Sequence, residues 1–306
     1  HGHPHLRNIV LLDGQPTLFD AIEFNDEIAC TDVLYDLAFL LMDLWRRQLP
    51  RHANTIWNGY LAETNDLEGI ALMPLFLSCR AAVRAKTSAT AARFQQDARH
   101  VGELEHLARD YLAMAEGLLH PPGPSLIAIG GVSGSGKSAL AMTLAPSIGA
   151  VPGAVVLRSD EIRKRLCGVP LLQRLGPEGY TPEVSGRVYA TIADWASLVV
   201  RSGHSAIVDA VHARPADRHA IERIAATASV PFIGLWLDAP EEVLIERAKQ
   251  RRLDSSDADE TVIRMQRSQD LGVIDWHRID ASLSADLVLR NVRRRVGDRD
   301  YHKVPS

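Results

Sequence analysis

Apolar and polar positions follow two different patterns along this chain. Up to about residue 119 the period is that of helices, over Val33–Arg47, Ala53–Ala62, a long run near Leu67–Lys86, and Ala91–Leu119. Only the first thirty residues break it: Asn8–Leu12 and Pro16–Asp20, separated by Asp13-Gly14, predict a hairpin. From residue 126 onward short apolar runs alternate with helical stretches. The runs Leu126–Gly130, Ala154–Arg158, Ala206–Asp209, Phe232–Leu237 and Leu287–Leu289 read as buried strands. Thr181–Arg201, Pro215–Ala228 and Glu241–Arg252 read as the helices between them. That alternation predicts an α/β domain, a parallel sheet with helices on both faces. Leu119-His-Pro-Pro-Gly-Pro-Ser125 marks the boundary, since three prolines and a glycine cannot continue a helix. The expected organisation is a helical region over 1–118, a linker over 119–125 and the α/β domain over 126–306.

Composition narrows the class without naming a chemistry. Of 306 residues 46% are hydrophobic and 24% charged, enough apolar material for two cores. A net charge of −4 gives no electrostatic case for binding bulk nucleic acid or an anionic membrane surface. Cys30, Cys79 and Cys167 lack metal-ligand spacing, which predicts free thiols and a reducing, cytoplasmic setting. No apolar run approaches the length of a membrane span. The chain opens on His-Gly-His without a methionine, which predicts a fragment of something longer.

Chemistry concentrates at Gly131-Val-Ser-Gly-Ser-Gly-Lys-Ser138, which fits G-x-x-x-x-G-K-[ST] at every fixed position. It follows a predicted strand and opens a predicted helix, the context the motif needs. Backbone N–H groups of Gly131, Ser133, Gly134, Ser135 and Gly136 are expected to cradle phosphate, aided by the helix N-terminus. Lys137 is expected to reach the β- and γ-phosphates, and the Ser138 hydroxyl to hold Mg²⁺. The expected ligand is a nucleoside triphosphate.

Other candidates follow from position in the sheet. Asp160, just past the second strand, is placed to take the proton of a substrate hydroxyl, or else to N-cap the next helix. Arg163, one turn on, is a substrate or phosphate contact or a surface arginine. Asp209 ends the third strand, where a carboxylate orients Mg²⁺, although a capping aspartate is the alternative. Arg247, Lys249, Arg251 and Arg252 form a basic group on Glu241–Arg252, either closing over the triphosphate or simply solvated. Arg218 is a further possible phosphate contact.

With GVSGSGKS at 131–138, RSDEIRK at 158–164, IVDAVHARPADR at 207–218 and ERAKQRRLDSSDAD at 246–259, residues 124–306 resemble the zeta-toxin-like group of P-loop kinases, AAA-type ATP-binding domains. The resemblance implies a five-stranded parallel sheet and transfer of a γ-phosphate from ATP, with Mg²⁺, to a small-molecule hydroxyl. It also implies Asp160 as general base and Arg251 or Arg252 as the arginine over the transferring phosphate. His1-Gly-His-Pro-His-Leu-Arg-Asn8 resembles the H-G-D-x-H-x-x-N loop of aminoglycoside phosphotransferases, and Phe19–Phe24 and Thr31–Ala38 resemble the segments that follow it. There Asn8 with Asp20 or Glu23 would hold Mg²⁺. His3, however, stands where that family has its aspartate, so an inactive helical lobe is expected. His5, Asn8 and Glu23 are left as a residual metal or substrate pocket. The combination resembles bifunctional aminoglycoside phosphotransferase and ATP-binding proteins.

The expected activity is an ATP- and Mg²⁺-dependent kinase acting on a small-molecule hydroxyl acceptor. An NTP-driven switch and a nucleotide-binding pseudoenzyme are the alternatives. A membrane partner is not expected; long nucleic acids are disfavoured, while a polynucleotide end stays open.

Overall fold

The computed structural model describes residues 1–250 and 256–296. The chain divides into two compact units, with the division in the proline-rich segment between Pro122 and Gly123.

The first unit starts with the expected hairpin. Strands β1 (Ile9–Leu12) and β2 (Gln15–Leu18) pair antiparallel, with Ile9 opposite Leu18 and Leu12 opposite Gln15. Asp13 and Gly14 both take positive φ, as a tight two-residue hairpin turn demands. Five helices follow: α1 (Asp26–Ala29), α2 (Val33–Arg46), α3 (Pro50–Thr64), α4 (Met73–Phe94) and α5 (Ala98–Leu118). Asp32 caps α2 by accepting from the Leu34 and Tyr35 amides. Leu34, Leu41, Met42, Trp57, Met73 and Leu77 are fully buried and form the centre of this unit. One boundary differs from expectation. Helix α4 does not stop near Lys86 but runs on to Phe94, because Ser88 and Ala92 share its buried face. The break falls at 95–97, where Asp97 accepts the Arg99 amide and starts α5. The two helices are tied by the Ser78 hydroxyl, which donates to the Ala115 carbonyl at 2.8 Å.

The second unit is a five-stranded, wholly parallel sheet. Its strands are β3 (Leu126–Gly130), β4 (Val155–Arg158), β5 (Ala206–Asp209), β6 (Phe232–Asp238) and β7 (His277–Asp280), in spatial order β4-β5-β3-β6-β7. Its helices are α6 (Lys137–Leu144), α7 (Ser159–Leu166), α8 (Pro182–Arg201), α9 (Pro215–Ala228), α10 (Glu241–Gln250), α11 (Glu260–Arg267) and α12 (Ala285–Val296). Strand alternation sends Ile127, Ile129, Ile207, Leu235 and Leu237 to one face, where they pack with Leu140 and Leu144 of α6 and Val288 and Val292 of α12. Helices α8 and α9 cover the other face, against β4, β5 and β6. The central strand β3 is buried along its whole length, which is why it reads as an unbroken apolar run.

The fifth strand is not where the apolar run Leu287–Leu289 puts it. Those residues lie in α12, whose Val288 and Val292 are buried one turn apart while Leu287 faces outward. The strand is His277-Arg-Ile-Asp280, at the sheet edge, and only Ile279 of it is buried. An edge strand with one buried side chain carries almost no apolar signal. Helix α11 likewise went unanticipated; Asp259 caps it by accepting the Val262 amide. Among the described residues no helix is long and apolar enough to cross a membrane.

Ile129→Ala removes a fully buried side chain from β3 and is expected to cost about 2–5 kcal/mol of stability in urea unfolding. Leu287→Ala, on the outward face of α12, is expected to stay within about 0.5 kcal/mol of the parent.

Candidate active site

The loop after β3 turns sharply because of its glycines. Gly131 and Gly134 sit at φ 135° and 86°, and a Cβ on either would collide with the backbone carbonyl of Leu237 or Leu244 respectively. Gly136, at φ 92°, is the N-cap of α6, so Lys137 and Ser138 form the first turn of that helix, directly after the loop. Lys137 is buried, and its Nζ donates to the Val132 carbonyl at 3.1 Å across the loop. Ser133 and Ser135 are buried within the same turn.

Strand β5, the neighbour of β3, delivers Asp209 to this loop. The Ser138 hydroxyl donates to Asp209 Oδ2 at 2.5 Å, and Arg158 Nε at the end of β4 stands 3.5 Å from the same oxygen. The Ser138 and Asp209 oxygens are hard donors beside a phosphate cradle. They suit Mg²⁺, which takes one or two protein oxygens and completes its octahedron with phosphate and water. Arg158 also binds Glu161 at 2.6 Å.

Asp160 is the second residue of α7, and the N-cap position belongs to Arg158, so Asp160 does not cap the helix. Burial pushes its carboxyl above the ordinary range, and the nearby Asp209 charge adds to the effect. A hydrogen bond from Ser256 and the charges of Lys137 and Arg158 oppose it. Glu161 is also pushed up, chiefly by burial, against the pull of Arg158. A carboxyl raised this way is a better proton acceptor near neutral pH than an exposed one.

These groups face one cavity of about 830 Å³, whose wall includes Lys137, Ser138, Asp160, Asp209, Arg163 and Arg247. Arg163 lines it but is committed to structure: it donates to the Gly179 carbonyl at 2.7 Å and to Ser185 Oγ at 3.2 Å, and lies over the Tyr180 ring. Arg247 donates to the Ala281 carbonyl at 2.7 Å. Arg218 is not brought to the cavity. Its guanidinium is buried on four carbonyls, of His212, Ala213, Leu271 and Val273, at 2.6–2.9 Å. Its role there is to fasten the 271–273 segment to the start of α9. Arg251 and Arg252 lie outside the described residues.

Gln266 and Asp257 are among the cavity residues not singled out from the sequence. Gln266 of α11 accepts the Ser133 amide at 2.8 Å, so a side chain from beyond α10 occupies a loop N–H. Asp257 accepts from Lys164 Nζ at 3.1 Å, the Leu175 amide at 3.0 Å and the Tyr180 hydroxyl at 2.9 Å. Burial alone would raise its carboxyl, but these three donors outweigh it and hold Asp257 below the ordinary range. The only sequence signal for this wall is the Asp257-Ala-Asp259 pair ahead of the apolar Val262-Ile263.

In the first unit the His1 and His3 rings meet at a tilt and the His3 and His5 rings edge to face, Asn8 Nδ2 donates to the His3 carbonyl at 3.4 Å, and His3 lies 3.8 Å from Asp20. Among the described residues no group of three or more His, Cys, Asp or Glu side chains converges as a metal site.

Residues 126–269 match the family profile described as an AAA domain. An uncharacterized protein of Mycobacterium tuberculosis strain H37Rv is 31% identical over 290 residues, covering 92% of this chain and 56% of its own length. The adenylyl-sulfate kinase of Myxococcus xanthus is 30% identical over 118 residues, 38% of this chain and 59% of that enzyme. The chain thus spans little more than half the length of the curated relatives it matches. Among solved structures, a gluconokinase from Sinorhizobium meliloti 1021 aligns at 21% identity and a TM-score of 0.39, over 55% of this chain and 88% of that one. The Mycobacterium tuberculosis APS kinase, in complex with AMPPNP and APS, aligns at 21% and 0.42, over 57% and 98%.

The raised Asp160 carboxyl has a consequence for stability. Between the ordinary carboxylate range and the raised value the folded protein binds more protons than the unfolded chain, so stability falls as pH rises through that window. Asp160→Asn removes this loss. The variant is expected to melt above the parent at neutral pH, with the gain shrinking to nothing as pH drops below the ordinary carboxylate range, by thermal unfolding across a pH series.

Proposed function

We propose that the second unit is an ATP- and Mg²⁺-dependent kinase that transfers a γ-phosphate to a hydroxyl of a small molecule. The observation that carries this reading is the convergence in one cavity of Lys137, the Ser138–Asp209 pair and the half-buried, proton-seeking Asp160. A simple nucleotide switch needs the first two but has no use for a second carboxyl poised to take a proton. The AAA-domain match over 126–269 and the likeness to an adenylyl-sulfate kinase support the same class.

In this reading the loop N–H groups of 133–138 and the α6 N-terminus bind the β- and γ-phosphates, and Lys137 exchanges the Val132 carbonyl for phosphate oxygens. Ser138 and Asp209 hold Mg²⁺, which supplies charge neutralisation on the phosphates. Asp160 accepts the proton of the acceptor hydroxyl as its oxygen attacks phosphorus. Arg158 lies against both Asp209 and Glu161 and holds these two carboxylates beside the loop. Val262 and Met265 of α11 line the cavity and help keep water from the γ-phosphate. The acceptor packs against Tyr180 and Tyr189, which line the same cavity. Arg163 orders that lining by holding the Pro177–Tyr180 turn to α8.

For the first unit we propose an aminoglycoside-phosphotransferase-like helical lobe without phosphotransfer activity, because His3 stands where a carboxylate is needed. The three free thiols and the absence of any apolar span in the described helices fit a cytoplasmic protein.

The test is ADP release from Mg²⁺-ATP with and without a panel of hydroxyl acceptors. Turnover is expected to depend on one acceptor class and to fall about 10²–10⁴-fold in Asp160→Asn, and Lys137→Ala is expected to abolish it. Turnover indifferent to every acceptor and intact in Asp160→Asn would sink the assignment of the base.

A further inference from the structure

The carboxyl proposed as the base already has a hydroxyl on it, and that hydroxyl belongs to the chain. The Ser256 side chain hydrogen-bonds Asp160, and both line the cavity that contains Lys137 and Ser138. This is the relation an acceptor hydroxyl must adopt before transfer: donating to the base, in the cavity that the phosphate loop lines.

Ser256 is held there by its neighbours. The next residue, Asp257, is fixed by donors from three places: Lys164 Nζ on α7, which is only 1% exposed, the Leu175 amide, and the Tyr180 hydroxyl. The Asp257 carbonyl accepts from Arg174 at 3.1 Å. Two residues on, Asp259 caps α11, and Gln266 of that helix reaches the Ser133 amide in the phosphate loop. The segment from Ser256 to Gln266 is therefore anchored near both of its ends. A nucleophile fixed in this way competes at high effective concentration with any free acceptor.

Building on the kinase reading above, we infer that Ser256 is an intramolecular phosphoryl acceptor, a self-modification site inside the candidate active site. The Ser256 Oγ attacks the γ-phosphorus of bound ATP. An Oγ–P bond forms as the bond from phosphorus to the β–γ bridging oxygen breaks. ADP leaves with that electron pair, and the hydroxyl proton passes to Asp160. The product is a phosphoserine carrying about −1.5 to −2 charges among Asp160, Asp209 and Asp257. That charge repels the Ser256 end of the segment from the carboxylates and fills the place of a free acceptor. Self-modification thus slows the transfer to small molecules until the phosphate is removed.

The experiment incubates the whole chain with Mg²⁺ and γ-labelled ATP without acceptor, and follows intact mass, labelled peptides and nucleotide binding by calorimetry. The expected result is a single added phosphoryl group mapping to Ser256, at a first-order rate independent of protein concentration. Ser256→Ala should lower incorporation at least about 10²-fold, Asp160→Asn should do the same, and Ser256→Thr should restore it as phosphothreonine. Melting curves of each variant separate loss of labelling from loss of fold. If nucleotide binds and a free acceptor is phosphorylated but no label enters the chain, this inference falls while the kinase reading stands. Label persisting in Ser256→Ala, or incorporation that rises with protein concentration, also overturns it. Absence of nucleotide binding overturns both.

Discussion

The tight approach of the phosphate loop to the backbone beside it is the constraint from which the rest of the second unit follows. At Gly131 and Gly134 the loop passes so near the carbonyls of Leu237 and Leu244 that no side chain fits. The loop is thereby wedged against the end of β6 and the body of α10, and it is pinned further by the Gly131 amide on the Val211 carbonyl and the Ser135 amide on the Val132 carbonyl. Helix α6 can then begin only at Lys137, after the left-handed Gly136. That start puts the Ser138 hydroxyl within 2.5 Å of Asp209 on the adjoining strand. The order β5-β3-β6 is what makes both contacts possible at once: the strand bearing the loop lies between the strand that supplies the carboxylate and the strand that supplies the wall.

Within that frame the charges sort themselves by environment. Three carboxyls, Asp160, Glu161 and Asp209, share the loop mouth with the cations Lys137 and Arg158. Arg158 is paired to Glu161 and lies against Asp209, so neither of those carboxylates is left uncompensated. Asp160 is desolvated beside the Asp209 charge, and its carboxyl rises despite the Ser256 hydrogen bond and the Lys137 and Arg158 charges. Across the cavity Asp257 sits in the opposite circumstance, held ionised by an ammonium, an amide and a hydroxyl. Two aspartates on one cavity are set apart in this way, one as a fixed anion that builds the wall and one able to exchange a proton.

How far this was legible from the residues depends on the range of the interactions involved. The phosphate loop is local: eight consecutive residues encode their own turn, and the strand and helix on either side confirm it. The hairpin at Asp13-Gly14 and the buried strands β3 to β6 are readable for the same reason. The edge strand His277–Asp280 is not, because pairing with β6 on one side leaves three of its four side chains exposed. The α4–α5 break was displaced because Ser88 and Ala92 read as weakly polar although they lie on a buried helical face. Arg218 looked like a phosphate contact in a basic motif. Its true partners include the carbonyls of Leu271 and Val273, which no pattern around residue 218 announces. Gln266 and Asp257 escaped notice on the same ground: each makes its decisive bond to a residue 133 or 93 positions away.

The long-range bonds of Gln266 and Asp257 bear on how the site works as a unit. Gln266 touches the phosphate loop and Asp257 touches α7 and the Tyr180 turn, yet both belong to one continuous segment stiffened by α11. A group that takes the Ser133 amide at the loop competes directly with Gln266 for it. The same segment reaches α7, the helix that carries Asp160, through the Asp257–Lys164 pair. These bonds are at most partly buried, so a ligand group or water that takes over one partner replaces them at modest cost. The phosphate-loop amide of Ser133 and the helix that carries Asp160 are in this sense joined through one segment, by bonds between residues far apart in the chain.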